Sequence, residues 1–391
     1  MVTASKEALQ PPPPTRRVLI VGNYCHDVLI QNGTVVGESI GGASSFLYNV
    51  LNGLSIPCNL VSKVGQDFKY EIEHTPIVVP DSRTTAFHAY FYDKGMQGDG
   101  QGDRVLKRVC ACDPIGRTDL PDTRFDFGMA VGVGGEISPE TLESMIEMCD
   151  FVLVDIQALI RDFDDADGTV KLVKLHETGF YHLLPGVGVL KASAEEAVFM
   201  DLEEVRKWCY VVVTNGKDGC KVYWKDGELE ISPFLANQED PTGAGDSYLG
   251  GYVAGLVQGL AVPDAALLGN FFGSITVEQV GLPKFDSGLL QRVKDEVHRR
   301  KMQCPCSERS HNQLEILKSA GHEQFHASLS AVKLEQPPLL TIQESKQDRP
   351  SSPAAVEQEG ILPCFSRQGK LLVNSVGDEP IHTVEGNALQ G

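Results

Sequence analysis

Residues 240–246 read Asp-Pro-Thr-Gly-Ala-Gly-Asp, and a run of small and apolar residues follows at 248–258. Gly243 and Gly245 permit a tight concave turn lined by backbone N–H groups, and a helix starting there adds its positive N-terminal end, so the turn suits an anion. A carboxylate at that helix start, Asp246, would lie within reach of a nucleophile attacking a phosphoryl group held in the turn. Asp is also a common helix cap, so the motif has to be weighed with its companions. The chain lacks the G-x-x-x-x-G-K-[ST] pattern, because Gly216-Lys217 is followed by Asp218, and the glycines at 132, 134 and 135 lack dinucleotide-binding spacing. P-loop and dinucleotide chemistry are disfavoured accordingly.

The elements that would position this turn follow from the apolar pattern. Continuous apolar runs at 18–21, 151–154, 187–190 and 210–213 alternate with amphipathic helical stretches over 168–177 and 194–200. That alternation predicts an α/β fold with a mostly parallel central sheet covered by helices on both faces. Alternating strands flank Asn32-Gly33, a type I′ hairpin signal, and recur at 87–92 and 105–110 around a glycine-rich loop, 95–102. They predict a small β-sheet lid, formed by about 28–40 and 84–112, of the kind that excludes water from a reaction. Four prolines, Pro11 to Pro14, mark residues 1–14 as a disordered leader before a domain expected over 15–300. From 301 to 391 Ser, Gln, Glu and Pro dominate, which predicts a largely disordered polar tail with a short helix near 312–317.

Composition narrows the partners. The 391 residues are 42% apolar, enough for one large core, and 53 acidic against 34 basic residues give a formal net charge of -19. Such a field repels phosphate backbones and anionic headgroups, so neither nucleic acid nor a membrane surface is expected as a partner. Without a secretory or bilayer-spanning apolar stretch, the chain reads as a soluble cytoplasmic protein. Of the 10 cysteines, the close pairs Cys110/Cys112 and Cys304/Cys306 lack the second ligand pair of a zinc site, which leaves reduced thiols as the expectation.

The segment DPTGAGDSYLGGY resembles the C-terminal signature of the PfkB, or ribokinase-like, carbohydrate and nucleoside kinases, whose other landmarks follow in order over about 17–293. The resemblance implies a ribokinase-like fold with ATP and Mg2+ as cofactors. It implies Asp246 as general base, with Gly243, Ala244 and Gly245 donating N–H groups to the transferred phosphate. Asp27, after the first strand, would bind substrate hydroxyls; Gly41 and Gly42 would let substrate approach the backbone, and Asn49 would hold that loop. Glu196 would organise Mg2+ through water, although Ser193 stands where the family has an asparagine. Thr214 and Gly216 would meet the ATP phosphates, with Asp240 and Asn270 also on the nucleotide side and 270–281 enclosing the adenine. The stretch between Asp67 and Thr84 is shorter than the family's, which implies a trimmed sheet edge.

Within the family, VGNYCHDVL, TTAFHAYF, AVGVGGEISPE and DIQALIR resemble plant members that phosphorylate myo-inositol at its 3-hydroxyl. A small polyol and ATP are therefore the implied partners. A ribose, fructose or nucleoside acceptor stays open, as does a non-catalytic binding protein, and the sequence carries no signal of oligomeric state.

Overall fold

A computed structural model describes residues 16–91, 104–303 and 320–335. The leader 1–14, the loop 95–102 and the helix expected near 312–317 lie outside the described residues. In chain order the first half forms β1 (Val18–Val21), β2 (Cys25–Gln31), β3 (Thr34–Gly41), α1 (Ala43–Gly53), β4 (Cys58–Val61), β5 (Lys63–Gly65), β6 (Ile77–Val79), β7 (Thr85–Phe91), β8 (Arg104–Cys110), β9 (Phe125–Ala130), α2 (Pro139–Met148) and β10 (Cys149–Asp155). There follow α3 (Gln157–Ile160), β11 (Arg161–Phe163), β12 (Val170–Leu172), β13 (Val189–Ser193), α4 (Ala194–Ala197), α5 (Leu202–Val205), β14 (Tyr210–Thr214), β15 (Cys220–Trp224) and β16 (Gly227–Ile231). The last elements are α6 (Ala244–Val257), α7 (Val262–Thr276), α8 (Ser287–Gln303) and α9 (His322–Leu334).

The central sheet runs β16-β15-β14-β13-β10-β9-β1-β4. Pairing is parallel from β4 through β14, while β15 and β16 finish one edge antiparallel. Parallel strands buried on both faces need apolar side chains throughout, which is why β1 is Val-Leu-Ile-Val with all four residues buried. One face packs against α1, α6, α7, α8 and α9, and the other against α2 with the shorter helices. Strand order reverses beside β1, with β4 to one side and β9 onward to the other. Open α/β sheets bind ligands at such a switch point, outside the carboxyl ends of the strands.

A separate sheet, β3-β2-β7-β8, is the small sheet anticipated from the alternating pattern. Its β2–β3 hairpin turns at Asn32 (φ 50) and Gly33 (φ 82), the left-handed pair that an Asn-Gly turn accommodates. Between 67 and 84 no helix forms, and β6 pairs only with β5, outside the central sheet. No helix among the described residues is long and apolar enough to cross a membrane.

Two stretches depart from the sequence reading. Residues 168–177 are not an amphipathic helix: Val170-Lys171-Leu172 alternate at strand period and pair with β11, and only Leu175–Glu177 form a 3-10 turn. The chain beyond 300 is also ordered in part. Helix α8 continues to Gln303, and α9 buries Phe325, Leu329 and Val332, spaced i, i+4, i+7, against the core. At its start His322 Nδ1 donates to Asp264 Oδ1 at 2.7 Å, while Arg300 Nε donates to Asp264 Oδ2 at 2.8 Å, so α7, α8 and α9 meet at one buried carboxylate.

Candidate active site

Helix α6 starts on the glycine turn. Gly243 has φ 74, and a Cβ there would fall 2.1 Å from the Phe46 ring, so both backbone and space require glycine. Of the first helical amides, that of Ala244 turns back to the Pro241 carbonyl at 3.3 Å, while those of Gly245 and Asp246 project from the helix start without an intrahelical acceptor. Asp240 shapes this turn from behind, its Oδ1 accepting from the Thr242 amide at 2.9 Å and its Oδ2 from the Gly281 amide at 3.4 Å.

Asp246 opens on a cavity that Asp27, Gly42, Thr242, Gly243, Gln157 and Arg161 also line. Leu29, Phe87, Ala89 and Leu106 of the lid sheet, with Phe46 and Val133, supply its apolar walls. The lid carboxylate and the helix-start carboxylate thus face one enclosure. Gly41 makes room for the first, since a Cβ there would lie 1.9 Å from Asp27 Oδ2. Gln157 Nε2 donates to Asp246 Oδ1 at 3.0 Å. Asn49 lies apart from the cavity, donating to the Pro283 carbonyl at 2.8 Å and so tying α1 to the segment after α7.

Beneath the turn, Asp155 and Lys191 are register partners on β10 and β13, joined at 2.9 Å and buried. A Cβ on Gly245 would sit 2.8 Å from Lys191 Nζ, which places this ammonium directly under the glycine turn. Burial pushes the Asp246 carboxyl above its ordinary range, opposed by the Lys191 and Arg161 charges and by the Gln157 hydrogen bond. Burial would lower the Lys191 ammonium, but the carboxylates of Asp155, Glu196 and Asp246 outweigh it and hold the group firmly protonated. Glu196 moves the other way: burial acts to raise it, yet Lys191, the Ser193 amide and Arg161 keep it below the usual carboxylate range.

Glu196 and Ser193 cap α4 reciprocally, the Ser193 amide donating to Glu196 Oε2 at 2.8 Å and the Glu196 amide to Ser193 Oγ at 3.2 Å. Ser193 pairs in register with Thr214 at the carboxyl ends of β13 and β14. Gly216 follows at φ 55 with open space where a side chain would stand. Asn270 is buried in α7 and donates to the carbonyls of Ile231 (3.3 Å) and Ser232 (2.9 Å). The expected residues therefore fall into three groups. Asp27, Gly42, Gly243 and Asp246 line the cavity, with Gly41 packed behind Asp27 and Ala244 and Gly245 completing the turn between Gly243 and Asp246; Ser193, Glu196, Thr214 and Gly216 sit at the strand ends; Asn49, Asp240 and Asn270 brace from outside.

Four contributors went unassigned in the sequence. Gln157 opens the short helix α3 and Arg161 starts β11 directly after it, so no helical or strand periodicity in the sequence marks them as a pair. Lys191 interrupts an apolar strand, where a buried ammonium requires a partner. Glu136 pins the loop after β9, accepting from the amides of Asn23 (2.8 Å), Val133 (3.2 Å) and Gly134 (2.7 Å). No group of three or more metal-ligating side chains occurs among the described residues.

Known proteins give this geometry a lineage. Residues 142–284 match the pfkB family carbohydrate kinases. The chain is 62% identical over 342 residues to inositol 3-kinase of Arabidopsis thaliana, covering 86% of this chain and 94% of that one. It is 50% identical over 327 residues to inositol 3-kinase of Zea mays, covering 80% and 85% respectively. Among solved structures, a pyrophosphate-dependent kinase in the ribokinase family, complexed with a pyrophosphate analog and myo-inositol, superposes with a TM-score of 0.57 at 17% identity, over 68% of this chain and 97% of that one; this likeness concerns the fold. With a glycine turn ahead of a half-buried carboxylate, a β-sheet lid over it and a relative matched along nearly its whole length, the chain belongs to the pfkB family of carbohydrate kinases.

Proposed function

We propose that this kinase transfers the γ-phosphoryl group of magnesium-ATP to the 3-hydroxyl of myo-inositol, with Asp246 as the general base. The observation that carries the reading is the shared cavity of Asp27 and Asp246 under the lid sheet. A polyol ring seated there can donate hydroxyls to Asp27 while presenting one hydroxyl to Asp246, and the apolar lid residues cover its carbon faces. Gln157 fixes one oxygen of the base without neutralising it, and the raised basicity of Asp246 suits proton removal near neutral pH. The amides at the α6 start and the Lys191 charge beneath them then oppose the negative charge on the transferred group.

The choice of acceptor rests on the plant relatives named inositol 3-kinase. On the donor side, Thr214 and Gly216 at the strand ends are suited to meeting the nucleotide phosphates. The wall formed by 233–240 and 274–281 is suited to the base, with Asn270 and Asp240 holding its two sides in place. Magnesium neutralises phosphate charge when bound and keeps most of its water, so it needs no protein cage. Glu196, ionised and fixed at the α4 start, is the carboxylate fitted to hold that water.

The positional claim is tested on the product. Phosphorylated myo-inositol resolved on a chiral phase should be the 3-phosphate; recovery of its mirror image, the 1-phosphate, would overturn the positional assignment.

A further inference from the structure

We propose that helix α9 braces the nucleotide half of the site, with Lys333 and His326 as positioning residues for the wall that receives the base of ATP. The inference rests on the donor-side reading above. Lys333 lies at the end of α9 with its side chain only 10% exposed. Its three ammonium protons meet three acceptors on the two separate segments of that wall. Nζ lies 2.5 Å from the Leu235 carbonyl, in the segment leading from β16 to the glycine turn. It also lies 3.3 Å from the Ser274 carbonyl in the last turn of α7 and 3.2 Å from Glu278 Oε1 just beyond it. A cation is favoured at that helix end, where carbonyls lack intrahelical donors.

The remaining contacts close a ring. Glu278 Oε1 also accepts from the Asn237 amide at 3.2 Å, and the amides of Glu239 and Asp240 both donate to the Val277 carbonyl. Two turns back along α9, His326 Nε2 donates to the Pro233 carbonyl at 3.0 Å, and its ring packs edge-on against Phe234 with centroids 4.7 Å apart. The helix thus holds residues 233, 234 and 235 through consecutive contacts and fixes them to the C-terminal end of α7. Each side of this seam carries one large apolar residue open to solvent, Leu235 at 96% and Val280 at 68% exposure, a surface that an aromatic base would cover. Were α9 to loosen, the two sides would be free to separate, and nucleotide affinity would fall while the acceptor cavity kept its shape.

The test uses the full chain and the KM values for both substrates. Lys333→Met keeps the packing stem and removes the charge; it should raise KM for ATP by about three- to tenfold, the loss of one or two hydrogen-bond contributions. KM for myo-inositol and kcat at saturating ATP should stay near wild type, and Lys333→Arg should restore most of the ATP affinity. An unchanged KM for ATP, or parallel rises in both KM values with a lower melting temperature, would overturn the proposal. Leu235→Asp, on the wall itself and fully exposed, separates the two levels. If it raises KM for ATP while Lys333→Met does not, α9 is no brace although the base sits at this wall. If neither variant changes KM for ATP, the base binds elsewhere and the donor-side reading falls together with the inference.

Discussion

Asp246, in the first turn of α6, accepts a 3.0 Å hydrogen bond from the side-chain amide of Gln157, which opens the short helix after β10. The bond joins the glycine turn to the carboxyl end of the central sheet. It orients the proposed base with a neutral donor, which leaves the carboxylate its charge and its capacity to take a proton. Replacing Asp246 by Asn keeps the shape and removes that capacity. Turnover should drop by about 10² to 10⁴, or roughly 3 to 5 kcal/mol of barrier, while the melting temperature and KM for ATP stay close to wild type. Near wild-type turnover would place the base elsewhere.

With Asp246 as the proposed base, the acid side of the rate profile should report the same carboxyl. Burial raises Asp246 above its ordinary range, so kcat/KM should begin to fall, on acidification, at a higher pH than a solvated carboxylate would give. The Arg161 guanidinium favours the ionised form, and its removal raises the basicity further. Arg161→Gln should therefore move the acid limb to higher pH. A limb that stays in place or moves down would remove Arg161 from the electrostatics of the base.

Asp27 faces the cavity from the lid side, packed so closely on Gly41 that no side chain fits there. Asp27→Asn should raise KM for myo-inositol by about five- to a hundredfold, the range set by about 1 to 3 kcal/mol for one mismatched buried polar contact, and leave KM for ATP alone. Gly41→Ala should act in the same direction by displacing the carboxylate. Measured KM values for both substrates check the split; a selective loss of ATP affinity would contradict it.

A chain ending after Gln303 loses α9. Burial of Phe325, Leu329 and Val332 contributes about 1.5 to 3 kcal/mol per side chain, Asp264 would lose His322 on α9, and Arg300 would lose the Ala320 carbonyl just ahead of it. Thermal unfolding of the shortened chain should show a melting temperature lower by many degrees, or no folded protein. An unchanged melting temperature would mean that this packing adds nothing.

The sheet was legible because buried parallel strands leave continuous apolar runs, as at Val18–Val21. The glycine turn was legible because its backbone admits few residue types, as Gly243 shows. What escaped depends on contacts between distant segments. Gln157 reaches Asp246 across 89 positions, and Lys191 reveals its purpose only when β10 brings Asp155 beside it. Helix α9 was hidden by composition: polar residues dominate the region, and three apolar residues at helical spacing carry the packing. Asn270 and Asp240 are of types that suit ligand contacts, but their hydrogen bonds go to backbone groups that shape the site.

Acceptor choice is decided by competition. With magnesium-ATP and equal concentrations of myo-inositol, ribose, fructose and adenosine, myo-inositol should be phosphorylated about a hundredfold or more faster. Two unmatched buried polar groups, at about 1 to 3 kcal/mol each, suffice for that discrimination. A clear win for adenosine or fructose would contradict the inositol reading, and ATP binding without turnover of any acceptor would contradict the assignment of Asp246 as a working base.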